Sequence, residues 1–269
     1  MTRREAILRV VGRAILPPAS PSSRLPDDLT ARLLEREFPR PDLSYLLMDV
    51  RSRHAIASRA LNPDEPIPFG SLVKPFVAYA HRGPLPTVIC HGCWKPGGHG
   101  RLTLPLALAH SCNVYFLELA RNINPFKLAE VGLSAPDVAT PEAWIGLGRN
   151  WRISPRRLVN GYCELLIRSP REILEGMRLS AKFGTARAIR CDAYATTGTA
   201  PCHHAKRTPG DGYAMALYPA SNPRWALLAS LDGALARMPR KSAAKCCDGS
   251  ARFAAFRFYR FEIGAPRGI

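Results

Sequence analysis

Apolar positions recur along this chain with two periods, and the period changes twice. Ile7, Leu8, Val11, Ala14 and Ile15 share one helical face while the arginines lie mostly elsewhere, so the opening predicts a basic amphipathic helix. Pro17-Pro18-Ala19-Ser20-Pro21-Ser22-Ser23 then reads as a linker. A short helix should come next, capped by Asp27 or Asp28, with Leu29, Leu33, Leu34 and Phe38 as its buried stripe and Pro39 as its stop. Ser44 to Val50 and Ala55 to Ala60 read as strands and, joined by Arg51-Ser52-Arg53-His54, predict a β-hairpin whose turn holds no glycine. Pro63, Pro66 and Pro68 lead irregularly to an apolar helix that starts near Ser71.

From Pro84 to Gly100 the pattern is loop-like, and from there to about residue 182 it is mostly helical. Leu102 to Leu108, Val114 to Arg121, Pro125 to Val131 and Ser154 to Leu166 are the predicted helices. Ser154 is placed as a cap with Pro155 at the first helical position. Strands return at Arg190 to Thr199, Gly212 to Tyr218 and Arg224 to Leu231, punctuated by Asp211-Gly212 and Asn222-Pro223. Beyond residue 237 the chain is polar and irregular, then ambiguous: Ala251, Ala254, Ala255, Phe258 and Phe261 fit a helix, while residues 257–261 also fit a strand. Strands, a helical insertion and strands again imply an α+β fold, an antiparallel β-sheet flanked by helices with an inserted all-helical subdomain. Residues 1–41 form an N-terminal extension and 42–269 the main domain.

Composition narrows the classes. An apolar content of 46% excludes wholesale disorder, and 269 residues are enough for a full core. The net charge of +17 favours polyanions, yet it is spread along the chain with no basic run interleaved with aromatics, so no nucleic-acid function is assigned. No apolar run spans a bilayer, and the arginines in the opening break the core that a signal peptide needs. Eight cysteines are too scattered for a small disulfide scaffold. Cys90-His-Gly-Cys93 has zinc-type spacing, with His99, Cys202, His203 and His204 available to complete a set. No second cysteine pair occurs at the expected interval, so neither a metal nor a cofactor is assigned. Trp94 after Cys93 argues against a c-type haem.

Three short motifs carry chemistry. Ser71-x-x-Lys74 places a hydroxyl and an amine three residues apart, hence on one helical face, and a lysine of lowered pKa activates such a serine. Lysine is scarce here, 7 against 31 arginines, which gives the pairing weight. In Ser111-Cys112-Asn113, residues i and i+2 face one way in an extended or loop conformation, so Ser111 and Asn113 share a cleft while Cys112 faces the packing; helix capping by either is the plainer reading. Thr196-Thr197-Gly198-Thr199 lies on a late strand, where the glycine signals close approach of a ligand or another backbone, or else a bulge.

In this order and spacing the motifs resemble those of the penicillin-binding protein transpeptidase domain, a family of serine acyltransferases related to β-lactamases. Pro68 to Phe76 is similar to its nucleophile segment, and His99-Gly100 through Phe116 to its second-motif region. Ile145-Gly146-Leu147-Gly148, Ile153-Ser154-Pro155, Gly176-Met177 and Gly184-Thr185-Ala186 look like its approach to the third motif, and Gly210-Asp211-Gly212-Tyr213 resembles the segment beyond that motif. The resemblance spans roughly residues 42 to 232.

That resemblance implies a nucleophile, Ser71, attacking a terminal D-alanyl peptide bond, with Lys74 as its base. Ser111 would relay a proton to the leaving amine, and Asn113 would hold substrate and orient Lys74. The N–H groups of Ser71 and Thr199 would form the oxyanion hole, with Thr197 and Thr199 binding the substrate carboxylate. The departure is Thr196, where the family ordinarily has lysine; an active variant would need another cation, such as Lys206, Lys182 or an arginine. The implied function is a D,D-transpeptidase acting on peptidoglycan stem peptides and binding β-lactams covalently; the alternatives are a non-catalytic module and, third, a serine β-lactamase. For the last, Glu142, Glu164, Glu172 and Glu175 read as helix surface rather than a water-activating base. Implied partners are stem peptides, β-lactams and, through residues 1–16, a membrane surface or another wall-synthesis domain. The implied location is periplasmic or otherwise extracytoplasmic.

Overall fold

The computed structural model describes residues 27–39, 41–202 and 210–232. The amphipathic opening, the Pro/Ser linker, His203, His204, Lys206 and the ambiguous C-terminal segment lie outside them.

Helix α1 (Asp27–Glu37) precedes β1 (Leu43–Asp49) and β2 (Ala55–Arg59), the predicted hairpin, with Tyr45 opposite Arg59 and Leu47 opposite Ala57. The turn manages without glycine because Asp49 organises it. Its Oδ1 accepts from Arg51 N (3.1 Å), Ser52 N (2.8 Å) and Ser52 Oγ (2.9 Å), while Arg53 takes the left-handed position at φ 59°. In the predicted stripe of α1, Leu29 is exposed; Phe38, just past the helix, packs against the sheet.

After β3 (Ile67–Pro68) the chain makes a single 3-10 turn (Gly70–Val73) that runs directly into α2 (Lys74–Ala80). Apart from Ser71 and Lys74 this segment is apolar, and the residues of α2 other than Tyr79 are buried. Phe76 stacks edge-on against Tyr162 (4.8 Å), and the Tyr162 hydroxyl donates to Leu72 O (2.5 Å).

The insertion after α2 is not purely helical. Between its helices lie a hairpin, β4 (Val88–Cys90) with β5 (Gly100–Leu102), and a two-residue ladder joining β3 to β6 (Arg152–Ile153). Strands of two or three residues carry too little alternation to be recognised as periodic. The helices are α3 (Leu104–Ala109), α4 (Asn113–Leu119), α5 (Phe126–Ala129), α6 (Pro141–Trp144), α7 (Pro155–Arg168) and α8 (Arg171–Lys182). Ser154 caps α7 as expected, accepting from Arg157 N at 3.4 Å. Ile173, Leu174, Met177 and Ala181 give α8 an apolar stripe at helical spacing, with Gly176 set beside it. A Cβ there would lie 2.7 Å from Leu108 Cβ, so the glycine is what lets α8 rest on α3.

Strands β7 (Tyr194–Ala200), β8 (Asp211–Tyr218) and β9 (Trp225–Leu231) complete an antiparallel five-stranded sheet of order β2-β1-β9-β8-β7. Strand β7 starts later than predicted because residues 187–189 form a 3-10 turn and Arg190 is left-handed (φ 54°). The period-2 pattern sorts the two faces. Leu46, Met48, Tyr213, Met215, Leu217 and Leu228 join Phe69, Leu72 and Phe76 in the main core, while Leu43, Ala214, Ala229 and Leu231 face the other way with Phe38. Among the described residues no helix is long and apolar enough to cross a membrane.

Candidate active site

The site forms where the 3-10 turn meets the edge of the sheet. Gly70 is left-handed (φ 58°), and a Cβ on it would fall 2.0 Å from Thr199 O and 3.1 Å from Thr199 N. Gly198 is the reciprocal contact, since its Cβ would meet Phe69 O at 2.4 Å. Gly146 (φ 80°) closes the third side, 2.1 Å from Gly70 O by the same construction. The glycine of the third motif and that of the Ile145–Gly148 loop therefore share one cause: backbones on either side of Ser71 pack without room for a methyl group.

A 3-10 turn has three residues per turn, so Lys74 comes back to the same face as Ser71. Ser71 is half-buried, whereas Lys74 is 1% exposed. The Lys74 amine donates to Ser111 O (2.7 Å) and Asn113 Oδ1 (2.6 Å), lies 3.0 Å from Ser111 Oγ, and sits 5.5 Å from the Phe116 ring centre. The Ser71 hydroxyl is not among its hydrogen-bond partners. Burial lowers the amine from its ordinary value to about 7, while the Cys112 and Cys93 sulfurs act in the opposite sense. At neutral pH a large fraction is then the free base.

The second motif owes its shape to the end of α3. Ser111 N donates to Leu108 O (3.1 Å) and Cys112 N to Ala107 O (2.9 Å), the double bonding of a Schellman termination. The left-handed residue of that motif is usually glycine; here it is Ser111, at φ 50°. A side chain in that region costs about 1–2 kcal/mol. The turn sends Ser111 Oγ and, two residues on, Asn113 Oδ1 to the same amine, with Cys112 buried between them. The Ser111 carbonyl takes a second donor, Trp94 Nε1 at 3.0 Å, from the β4–β5 loop. Sequence reasoning assigns Trp94 no part in the site; its only signal is its position in a loop that the fold brings against the motif.

On β7, Thr196 and Gly198 share the face turned toward Phe69 and Leu72, while Thr197 and Thr199 share the other. Thr196 is 2% exposed, Thr197 is also buried, and Thr199 is open to solvent. Of the cations considered in place of the third-motif lysine, Lys182 is exposed at the end of α8 and Lys206 lies outside the described residues. Glu142, Glu172 and Glu175 are exposed, and Glu164 pairs with Arg53 (3.0 Å), so each reads as surface, as expected.

Beside the second motif Cys90, Cys93, His99 and Cys112 converge, with their ligand atoms within 4.8 Å of one another. Cys202 is not part of the group. Burial lowers His99 to about 4, helped by the neighbouring His110 and Lys95, so its ring is neutral at physiological pH.

No family model and no curated protein matches the chain. Solved structures do. Penicillin-binding protein 2 from Pseudomonas aeruginosa, determined in complex with WCK 5153, is similar at TM-score 0.62 and 14% identity over 83% of this chain and 72% of that one. The transpeptidase domain of penicillin-binding protein 3 from Burkholderia pseudomallei is similar at TM-score 0.61 and 14% identity over 85% and 90%. PBPA from Mycobacterium tuberculosis is similar at TM-score 0.61 and 15% identity over 86% and 81%. The chain thus carries the fold of penicillin-binding protein transpeptidase domains.

Proposed function

We propose that the chain is a serine acyltransferase of the D,D-transpeptidase type, acting on peptidoglycan stem peptides outside the cytoplasmic membrane and taking up β-lactams on Ser71. The observation that carries this is the Lys74 amine, buried, near pKa 7 and held by Ser111 and Asn113 one turn beyond a serine hydroxyl.

In the reaction the Ser71 proton passes to Lys74 as Oγ bonds to the carbonyl carbon of the penultimate D-alanine. The developing oxyanion is received by the N–H groups of Ser71 and Thr199, each such donor contributing about 3 kcal/mol. Collapse breaks the C–N bond, and the departing amine takes a proton from Ser111, which is replenished from Lys74. The Ser71 ester then passes its acyl group to an acceptor amine or to water. The close packing of Thr199 on Gly70 supports this placement of the oxyanion donors.

The test is incubation with a fluorescent penicillin and intact-mass measurement of the product. One covalent adduct on Ser71, lost in Ser71→Ala, is expected; no adduct on folded protein would refute the proposal. A second reading, a non-catalytic module that binds wall peptides or partner proteins, is favoured by Thr196, a buried hydroxyl at the position of the lysine. It predicts no adduct and wall-peptide binding that survives Ser71→Ala.

A further inference from the structure

We propose that Cys90, Cys93, His99 and Cys112 form a tetrahedral zinc site that clamps the β4–β5 hairpin to the Ser111–Asn113 turn. The four ligand atoms lie within 4.8 Å of one another, and they come from three separate places: the end of β4, the loop after it, and the start of α4. His99 Nδ1 is 3.3 Å from Cys93 Sγ and 3.7 Å from Cys90 Sγ. Zinc with bonds of about 2.3 Å to sulfur and 2.05 Å to nitrogen has tetrahedral sulfur–nitrogen edges of about 3.6 Å, which those two distances bracket.

The backbone is arranged for this. Gly97 and Gly98 are both left-handed (φ 77° and 71°), and a Cβ on Gly98 would strike Cys90 O at 2.0 Å, so the loop folds back tightly enough for His99 N to donate to Cys90 O (3.1 Å). His99 is enclosed between Trp94 (5.1 Å, edge-on) and His110 (5.3 Å, stacked). Its Nε2 is buried with no protein partner among the described residues, so the polar contacts of the ring run through Nδ1 to the sulfurs.

Three thiolates and an imidazole, with no carboxylate and no open position, make a soft, closed donor set that suits structural zinc rather than a catalytic metal. Each zinc–sulfur bond replaces a thiol S–H bond and releases its proton to solvent; the metal stays Zn(II) throughout. A disulfide would join only two of the three sulfurs and leave the third, with the histidine, unexplained. The site's consequence rests on the proposed function. Cys112 lies between the two residues that hold Lys74, and Trp94, next to Cys93, bonds Ser111 O, so the metal is a positioning element for the second motif.

The test uses the full chain purified under reducing conditions in the presence of zinc. Elemental analysis should give one zinc per chain, and exchange for cobalt(II) should give the visible bands of tetrahedral cobalt with a thiolate-to-cobalt band in the near ultraviolet. Cys90→Ser and Cys93→Ser should each lower zinc affinity at least tenfold, while Cys163→Ala and Cys202→Ala retain it. Should the serine variants fail to fold, zinc on the unaltered chain must still shield three cysteines from alkylation. Substoichiometric zinc on folded protein, iron in its place, an octahedral cobalt spectrum, a disulfide among these cysteines or no shielding would each overturn the site. Penicillin uptake is a separate readout, expected to slow about tenfold on chelation. A zinc-loaded chain that takes up no penicillin would count against the acyltransferase proposal and leave the metal site standing.

Discussion

Asn113→Asp tests whether Lys74 is the base. The substitution leaves the shape of the second motif unchanged and puts a carboxylate oxygen where Asn113 Oδ1 now lies, 2.6 Å from the Lys74 amine. With the amine near 7 in the native protein, half of it is neutral at about that pH, and acylation should rise through pH 7 toward a plateau. A carboxylate stabilises the ammonium form, so the variant's profile must move to higher pH. At an effective dielectric of about 20, two unit charges 4 Å apart interact by about 4 kcal/mol, and the cost of desolvating the new carboxylate offsets part of this. Shifts caused by one adjacent opposite charge run to about one to three units. The expectation is therefore a midpoint between about pH 8 and 10 and, since only half of the native amine is neutral at pH 7, an acylation rate there lowered about five- to five-hundredfold, largely recovered at high pH. The assay is the second-order rate of fluorescent-penicillin uptake from about pH 5.5 to 10, a range wide enough to hold both midpoints, with folding monitored by circular dichroism. An unshifted midpoint would refute Lys74 as the titrating base. A shifted midpoint with a plateau that stays low at high pH would place Asn113 in substrate binding as well.

Thr196→Lys should speed penicillin uptake about ten- to a hundredfold, the effect of one added charge-assisted hydrogen bond to the substrate carboxylate. A flat or slower rate would mean that another cation already serves that group, and loss of the gain at high salt would assign it to long-range attraction rather than contact. Gly198→Ala drives a methyl group to 2.4 Å from Phe69 O, a backbone atom that cannot step aside, and should cost about 1–3 kcal/mol. A melting temperature unchanged by that variant would show that the turn before Ser71 and β7 are not locked together.

Much of the architecture was open to the sequence because it depends on local pattern. The hairpin of β1 and β2, the late strands and the capped start of α7 each arise from period, turn residues or a Ser-Pro signature, terms that residues carry wherever they stand. The order of the three motifs along the chain likewise pointed to the observed fold. The pieces that escaped have no local signature. Strands β3 to β6 are too short to show a period, and the reason for a glycine within α8 is Leu108, on a helix far earlier in the chain. The hairpin turn closes without glycine only because a buried aspartate, Asp49, reaches three donors.

At the site the division is sharper. Residue types and spacing put a hydroxyl and an amine together, but the lowered pKa of Lys74 is a property of its burial, which no sequence interval encodes. Gly198 was readable as a point of close approach; that the approaching backbone is Phe69 and Leu72 is a tertiary fact. Cys90 and Cys93 announced themselves by their spacing, and His99 was within reach. Cys112 was not, since its neighbours in sequence, Ser111 and Asn113, suggested packing, and only the return of the β4–β5 loop against the end of α3 brings its sulfur to the other three. Spacing defines a ligand pair because residues so near in sequence can meet within one turn. A fourth ligand from another element is decided by the fold alone.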